Sequence, residues 1–282
     1  MKKLVPLPDP PSALDRFVEI RNRKQAPTRQ VLIDHHDVIA ARYEEFAACA
    51  AAGTLEAISP SPLLVISEPL RHCYDVQTKK LVALKNAIND AQPLRQLKYC
   101  PYCGTTGHDT HDHYLPGVRF PEFAVNSLNL IPCCFMCNAK KDDDWLDQAG
   151  RRRYLHFYLD EIPDVDFLFV DLITAAEFES VGAQFRIERG IISDATWGLI
   201  ERHYERLDLL SRYGEAANDE IGEMLQAGAD YMVAGGPDVR FFLLTQSQSA
   251  AQVYGRNNWR AVLLARLAEH PDLEGWIEAI AV

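Results

Sequence analysis

Helix-like apolar spacing runs through most of this chain and stops in one window. Residues 14–23 and 29–52 predict helices. In the second, Val31, Leu32, Val38, Ile39, Tyr43 and Phe46 recur at the three-and-four spacing of a stripe that faces a core. Pro27 precedes that stretch and Gly53 follows it, a start signal and a stop signal. Residues 58–64 are rich in serine and proline and read as a loop. Residues 75–90 predict another helix, with Leu81, Leu84 and Ile88 on one face and Lys79, Lys80 and Lys85 off it. Further on, 166–173 and 183–188 are short runs rich in Val, Ile and Phe that predict a strand pair. Helical stretches are expected at 193–213, 215–233, 238–254 and 258–268, with Gly235, Gly236 and Pro237 separating two of them. Trp197, Trp259 and Trp276 lie in helix-like sequence and are expected in the core.

From Lys98 to Lys141 the helical period is lost. Short strand-like pieces at 118–120 and 123–125 sit among Cys, His, Asp, Gly and Pro, and a short helix is expected near Cys137 and Asn138. Small metal modules look like this, because the metal replaces a core that the segment is too short to build. The expected organisation is therefore α+β: a helical region over 1–96, a compact module over 97–150, and a mainly helical region with a short strand pair over 151–282.

Composition narrows the class. Hydrophobic residues make up 48% and charged residues 24%, ordinary for a globular protein and unlike a disordered one. No run approaches the roughly 20 apolar residues of a membrane span, and the proline-broken start lacks a signal-peptide core. A cytoplasmic location is the expectation. Five of the seven cysteines, Cys100, Cys103, Cys133, Cys134 and Cys137, fall in the window without helical period. That clustering points to a metal rather than to a disulfide framework. Cys49 and Cys73 stand apart and read as small buried apolar residues.

Cys100-Pro101-Tyr102-Cys103 and Cys134-Phe135-Met136-Cys137 are two CxxC pairs thirty residues apart. Each forms a knuckle with two sulfurs on one side, and two knuckles supply a closed tetrahedral thiolate set suited to structural Zn²⁺. Cys133 could pair with Cys137 instead, but the two-residue spacer of the first knuckle favours Cys134. The net charge of −11 argues against a protein that coats nucleic acid nonspecifically. Residues 94–153 nevertheless carry eight basic and seven acidic side chains, a net +1, so the −12 lies outside this window.

Between the knuckles stand His111, then Asp112-His113-Tyr114-Leu115-Pro116, then Asn129-Leu130. Asn138 directly follows Cys137, and Lys141 comes three residues later. An imidazole titrates near neutral pH and suits His113 as a general base. The oxygens of Asp112 and Asn138 suit a hard divalent cation, Mg²⁺ or Mn²⁺. Adjacent strand residues face opposite ways, so Asp112 and His113 can share a site only at a strand end or bulge. His111, on the parity of His113, is a rival ligand or base.

In this order and spacing, residues 98–142 resemble the HNH (ββα-metal) endonuclease family, and more narrowly its stand-alone members with Cys-Pro-Tyr-Cys knuckles. The resemblance implies hydrolysis of DNA phosphodiester bonds, with His113 as base and Asn129 tying two strands and orienting it. It casts Asp112 and Asn138 as ligands of the catalytic cation and Lys141 as a phosphate contact. Many relatives have His where Asn138 stands, and often a basic residue where Gly117 stands. Such nucleases often serve as effectors of bacterial defence, including against viruses, or as parts of mobile elements. The alternative is a zinc ribbon without catalysis, an adaptor that recruits a protein or nucleic-acid partner. The acidic flanks suggest a further partner or regulatory subunit. Arg151, Arg152 and Arg153 could line DNA or form a solvated face.

Overall fold

A computed structural model describes residues 1–175 and 180–280. They fall into two compact units. One comprises Lys3–Tyr102 with Thr106–Glu161, the other Met1–Lys2, Cys103–Thr105 and Ile162–Val282.

In the first unit, α1 (Ala13–Arg21) opens on a capping box. Ser12 Oγ accepts from the Asp15 N–H, and the Asp15 carboxylate accepts from the Ser12 N–H. The single helix expected over 29–52 is two, α2 (Thr28–Asp34) and α3 (His36–Ala52). His35 lies between them with φ −104° and ψ 14°, its Nδ1 2.9 Å from the Val31 carbonyl. Gly53 ends α3 at φ +68°, a conformation that costs a residue without a Cβ little. α4 (Ser67–Asp75) has no counterpart among the expected elements. It buries only Leu70 and Cys73, too few apolar positions to show a period, and carries Pro69 in its first turn, where proline is tolerated. α5 (Lys79–Asp90) starts where the Thr78 hydroxyl caps the Leu81 N–H and buries Leu81, Leu84 and Ile88.

β1 (Thr110–His113) and β2 (Leu130–Cys133) pair antiparallel, Asp112 opposite Ile131 and His113 opposite Leu130; α6 (Phe135–Lys141) follows at once. The strand-like pieces at 118–120 and 123–125 are not strands. The Arg119 and Phe120 N–H groups both reach back to the Pro116 carbonyl, and Pro121–Phe123 forms a 3₁₀ turn. Proline at 116 and 121 removes two ladder donors from this stretch.

In the second unit, β3 (Leu168–Ala175) and β4 (Ser180–Ile187) pair as expected. α7 (Asp194–Leu207) ends at Asp208, whose φ of +53° breaks the helix expected over 193–213. α8 (Leu209–Val233) therefore runs on through Gly214. α9 (Val239–Tyr254), α10 (Trp259–Glu269) and α11 (Leu273–Ile280) complete the unit. α8 packs on β4, and α10 packs on α9 and β3. Their shared core includes Leu243, Leu263, Leu264 and Leu267, all 0% exposed. Each contributes on the order of 1.5–3 kcal/mol by burial. Trp259 is buried, while Trp197 and Trp276 are half-buried.

The architecture is mixed α+β, mainly helical, with two small antiparallel sheets. No helix among the described residues is long and apolar enough to cross a membrane.

Candidate metal centre and active site

The cysteine knuckles converge. Cys134 is the N-cap of α6, and its Sγ accepts from the Cys137 N–H at 3.5 Å, which folds the second CxxC back on itself. Gly104, at φ +70°, makes the turn that follows the first pair. Ligand atoms of Cys100, Cys103, Cys134 and Cys137 lie within 4.8 Å of one another, all four residues buried. Four buried sulfurs this close could hold a metal such as zinc, and they leave no open coordination position. Cys133 stands outside the set, its Sγ 3.3 Å from the Thr110 hydroxyl, and burial pushes its thiol up to about 12. Cys73 is buried and Cys49 half-buried.

β1 ends at His113, and the chain bends at Tyr114. That strand end lets two consecutive residues serve one space: Asp112, His113 and Asn138 line a single cavity of about 370 Å³. His111 does not join them; it lines a separate hollow of about 390 Å³.

The His113 ring is held from two sides. Its Nε2 lies 2.9 Å from the Ala124 carbonyl, and its face meets Tyr74 edge-on at 4.3 Å between ring centres. A carbonyl only accepts, so Nε2 carries the proton and Nδ1 is the acceptor. No described residue bonds to Nδ1. Burial lowers the His113 pKa against the opposing pull of the Ala124 carbonyl and the Asp112 carboxylate. The imidazole is therefore neutral at neutral pH.

Asn129 is 0% exposed and makes three backbone bonds. Its Oδ1 accepts from the Leu115 N–H at 2.7 Å, and its Nδ2 donates to the carbonyls of Leu115 (3.1 Å) and Phe123 (3.2 Å). It joins the two ends of the loop that carries Ala124, the acceptor for His113. Glu122 on that loop accepts from Arg42 Nε of α3 at 2.7 Å and from the Ser61 hydroxyl at 2.6 Å, a buried pair that anchors the loop.

Lys141 differs from the expected phosphate contact. Its side chain is 0% exposed, and Nζ donates to Asp112 Oδ1 at 3.1 Å and to the His113 carbonyl at 2.8 Å. Asp112 Oδ2 accepts from the Tyr102 hydroxyl at 2.8 Å. Buried ions persist when they are paired and bonded in this way. Lys141 faces inward because α6 directs it at the end of β1, so it is the internal counter-ion of Asp112. The Arg151, Arg152 and Arg153 side chains are ion-paired with Asp147, with Glu56 and Asp160, and with Asp144, respectively. Tyr74, Arg42 and Glu122 escape a reading of the sequence, because they reach the site from helices and a loop that no local motif marks.

No protein-family model matches the chain, and no solved structure matches it. Among curated proteins, protein ea31 of Escherichia phage lambda is similar, 28% identical over 132 residues. The alignment covers 45% of this chain and 43% of that protein.

Proposed function

We propose that the chain is a metal-dependent endonuclease of the ββα-metal (HNH) type that hydrolyses DNA phosphodiester bonds. The observation that carries this reading is the strand end. It sets a neutral, tautomer-fixed His113 beside Asp112 and Asn138 in one cavity, with Asn129 bracing the loop that fixes the tautomer.

In this reading Nδ1 of His113 takes the proton from the attacking water, and Ala124 holds the ring in the accepting tautomer. Asn129 is a positioning residue, since it touches only backbone. The oxygen donors of Asp112 and Asn138 fit a hard divalent cation, and Asp75 and Asp142 add carboxylates to the same wall. Magnesium or manganese held there would neutralise charge on the scissile phosphate and the departing oxygen. Zinc in the four-cysteine set would serve the fold.

One observation favours a second reading, a zinc-bearing adaptor without catalysis. Both Asp112 oxygens already accept hydrogen bonds, from Lys141 and Tyr102. Plasmid cleavage with Mg²⁺ or Mn²⁺ decides between them. The nuclease reading expects nicks or cuts from the wild-type chain and none from His113→Ala. Cleavage by neither, with zinc bound and the fold intact, supports the adaptor.

A further inference from the structure

Lys141 is turned inward and Arg151, Arg152 and Arg153 are paired, which leaves Arg71, exposed on the wall of the His113 cavity, and Lys85 of α5 as cations to meet the negative charge of a substrate. The Lys85 Nζ lies 4.0 Å from the centre of the Tyr74 ring, and that ring's centre lies 4.3 Å from the His113 ring centre. Together these distances put the ammonium within 8.3 Å of the imidazole. No described carboxylate pairs with Lys85. Its stem is half-buried, and desolvation lowers its pKa. Lys85 lines the hollow of about 390 Å³ with Asn86, Asn89, Thr110 and His111. His111 Nε2, a nitrogen that can carry a proton and donate, is buried there without a described partner. Asp109, also on that wall, accepts from the Phe135 N–H through Oδ1 at 2.8 Å. Tyr74 lines both this hollow and the His113 cavity. A partly desolvated ammonium and an unpartnered imidazole N–H cost folding free energy that a bound anion offsets.

We propose that Lys85 is a phosphate-binding cation of this site: a DNA strand with its scissile phosphate beside His113 lays a neighbouring phosphate against Lys85, on the other side of Tyr74. This rests on the nuclease reading. Phosphates recur about every 3.4 Å of axis along one strand, so the span from His113 to Lys85 covers one or two of them. The ring of Tyr74, bonded through its hydroxyl to the His111 carbonyl at 3.1 Å, sets the spacing between the two hollows.

The test is the salt dependence of duplex DNA binding by the full zinc-loaded chain, in a His113→Ala background so that nothing is cut. Lys85→Gln should weaken binding and lower the slope of log affinity against log salt by about 0.9, the value of one lost phosphate contact. Lys85→Arg should restore the slope. Lys80→Gln, whose lysine is already paired with Glu19, should leave it unchanged. Lys85→Met keeps the stem over Tyr74 and replaces the Gln variant if that one unfolds. An unchanged slope in a folded Lys85 variant overturns the proposal, even if the wild-type chain cleaves DNA. A slope that falls as expected, in a chain whose wild type never cleaves, upholds Lys85 and sinks the nuclease reading. No DNA binding by the full chain overturns both.

Discussion

Each of the two units buries an asparagine that makes three bonds to backbone, and the two do different work. Asn257, 2% exposed, accepts from the N–H groups of Phe167 and Leu168 and donates to the Val165 carbonyl. It ties down the entry to β3. Asn129, 0% exposed, holds the loop whose next carbonyl orients His113. The chemistry is the same, so the residue type alone does not say which asparagine matters for a reaction. What it holds decides that. The surroundings differ in the same sense. The first unit buries Lys24, Arg42, Asp112, Glu122 and Lys141, whereas Arg212 is the one charged side chain buried among the described residues of the second. Polar partners dictate one arrangement more strictly than apolar packing does, which suits the base proposed at His113.

The largest way to break this comparison is to remove the metal. Replacing Cys100 and Cys137 by Ser should take bound zinc from one per chain to none and unfold the segment around β1, β2 and α6. Metal analysis and hydrogen exchange read both. Zinc-free protein with wild-type protection there would refute the zinc assignment.

Next, His113→Ala should lower cleavage by about 10²–10⁴-fold, the usual contribution of a general base, which leaves no cutting detectable on a plasmid, with zinc content and melting unchanged. Equal cutting by this variant, with His111→Ala inactive, would move the base to the other hollow.

The sharpest comparison is Asn129→Ala beside Asn257→Ala. Each leaves buried backbone groups unpartnered and should cost about 1–3 kcal/mol in denaturant unfolding. Only Asn129→Ala should also reduce cleavage below what its loss of stability explains. Equal effects on cleavage would erase the distinction between the two asparagines.

The smallest effect is in acid. Burial, followed by repulsion from Arg152, pushes His156 down to about 3. The folded chain thus keeps it neutral, while an unfolded chain protonates it near pH 6.5. The unfolded state then binds the extra proton, so stability falls as pH drops below about 6.5, by up to about 1.4 kcal/mol per pH unit. His156→Phe should flatten the difference between urea midpoints at neutral and mildly acidic pH. An unchanged slope would mean that the carboxylates and the other two buried imidazoles, His111 and His113, set it.

Periodicity disclosed the long helices α5, α8, α9 and α10 and the pairing of β3 with β4, because their apolar positions repeat often enough to define a face. It could not disclose α4, with two buried apolar residues in nine positions, or β1, whose four residues Thr110, His111, Asp112 and His113 include no apolar one. The breaks at His35 and Asp208 are backbone events inside otherwise good helical sequence. In the site, spacing marked the four cysteines and the order of Asp112, His113, Asn129 and Asn138. It misdirected Lys141, because a lysine is almost never fully buried and its partner Asp112 lies far away along the chain. It was silent on Tyr74 and Lys85, whose relation to His113 exists only once α4 and α5 have packed.

The Arg42–Glu122 pair bears on how such a module travels between proteins. The window from the first knuckle to α6 holds every motif residue, yet the carbonyl that fixes the His113 tautomer sits two residues beyond a glutamate clamped by α3. Grafted without α3, the window would keep its sulfurs and lose its aim. Inheritance should therefore act on the helical scaffold and the cysteine segment as one piece, and a recombination boundary between them would be selected against.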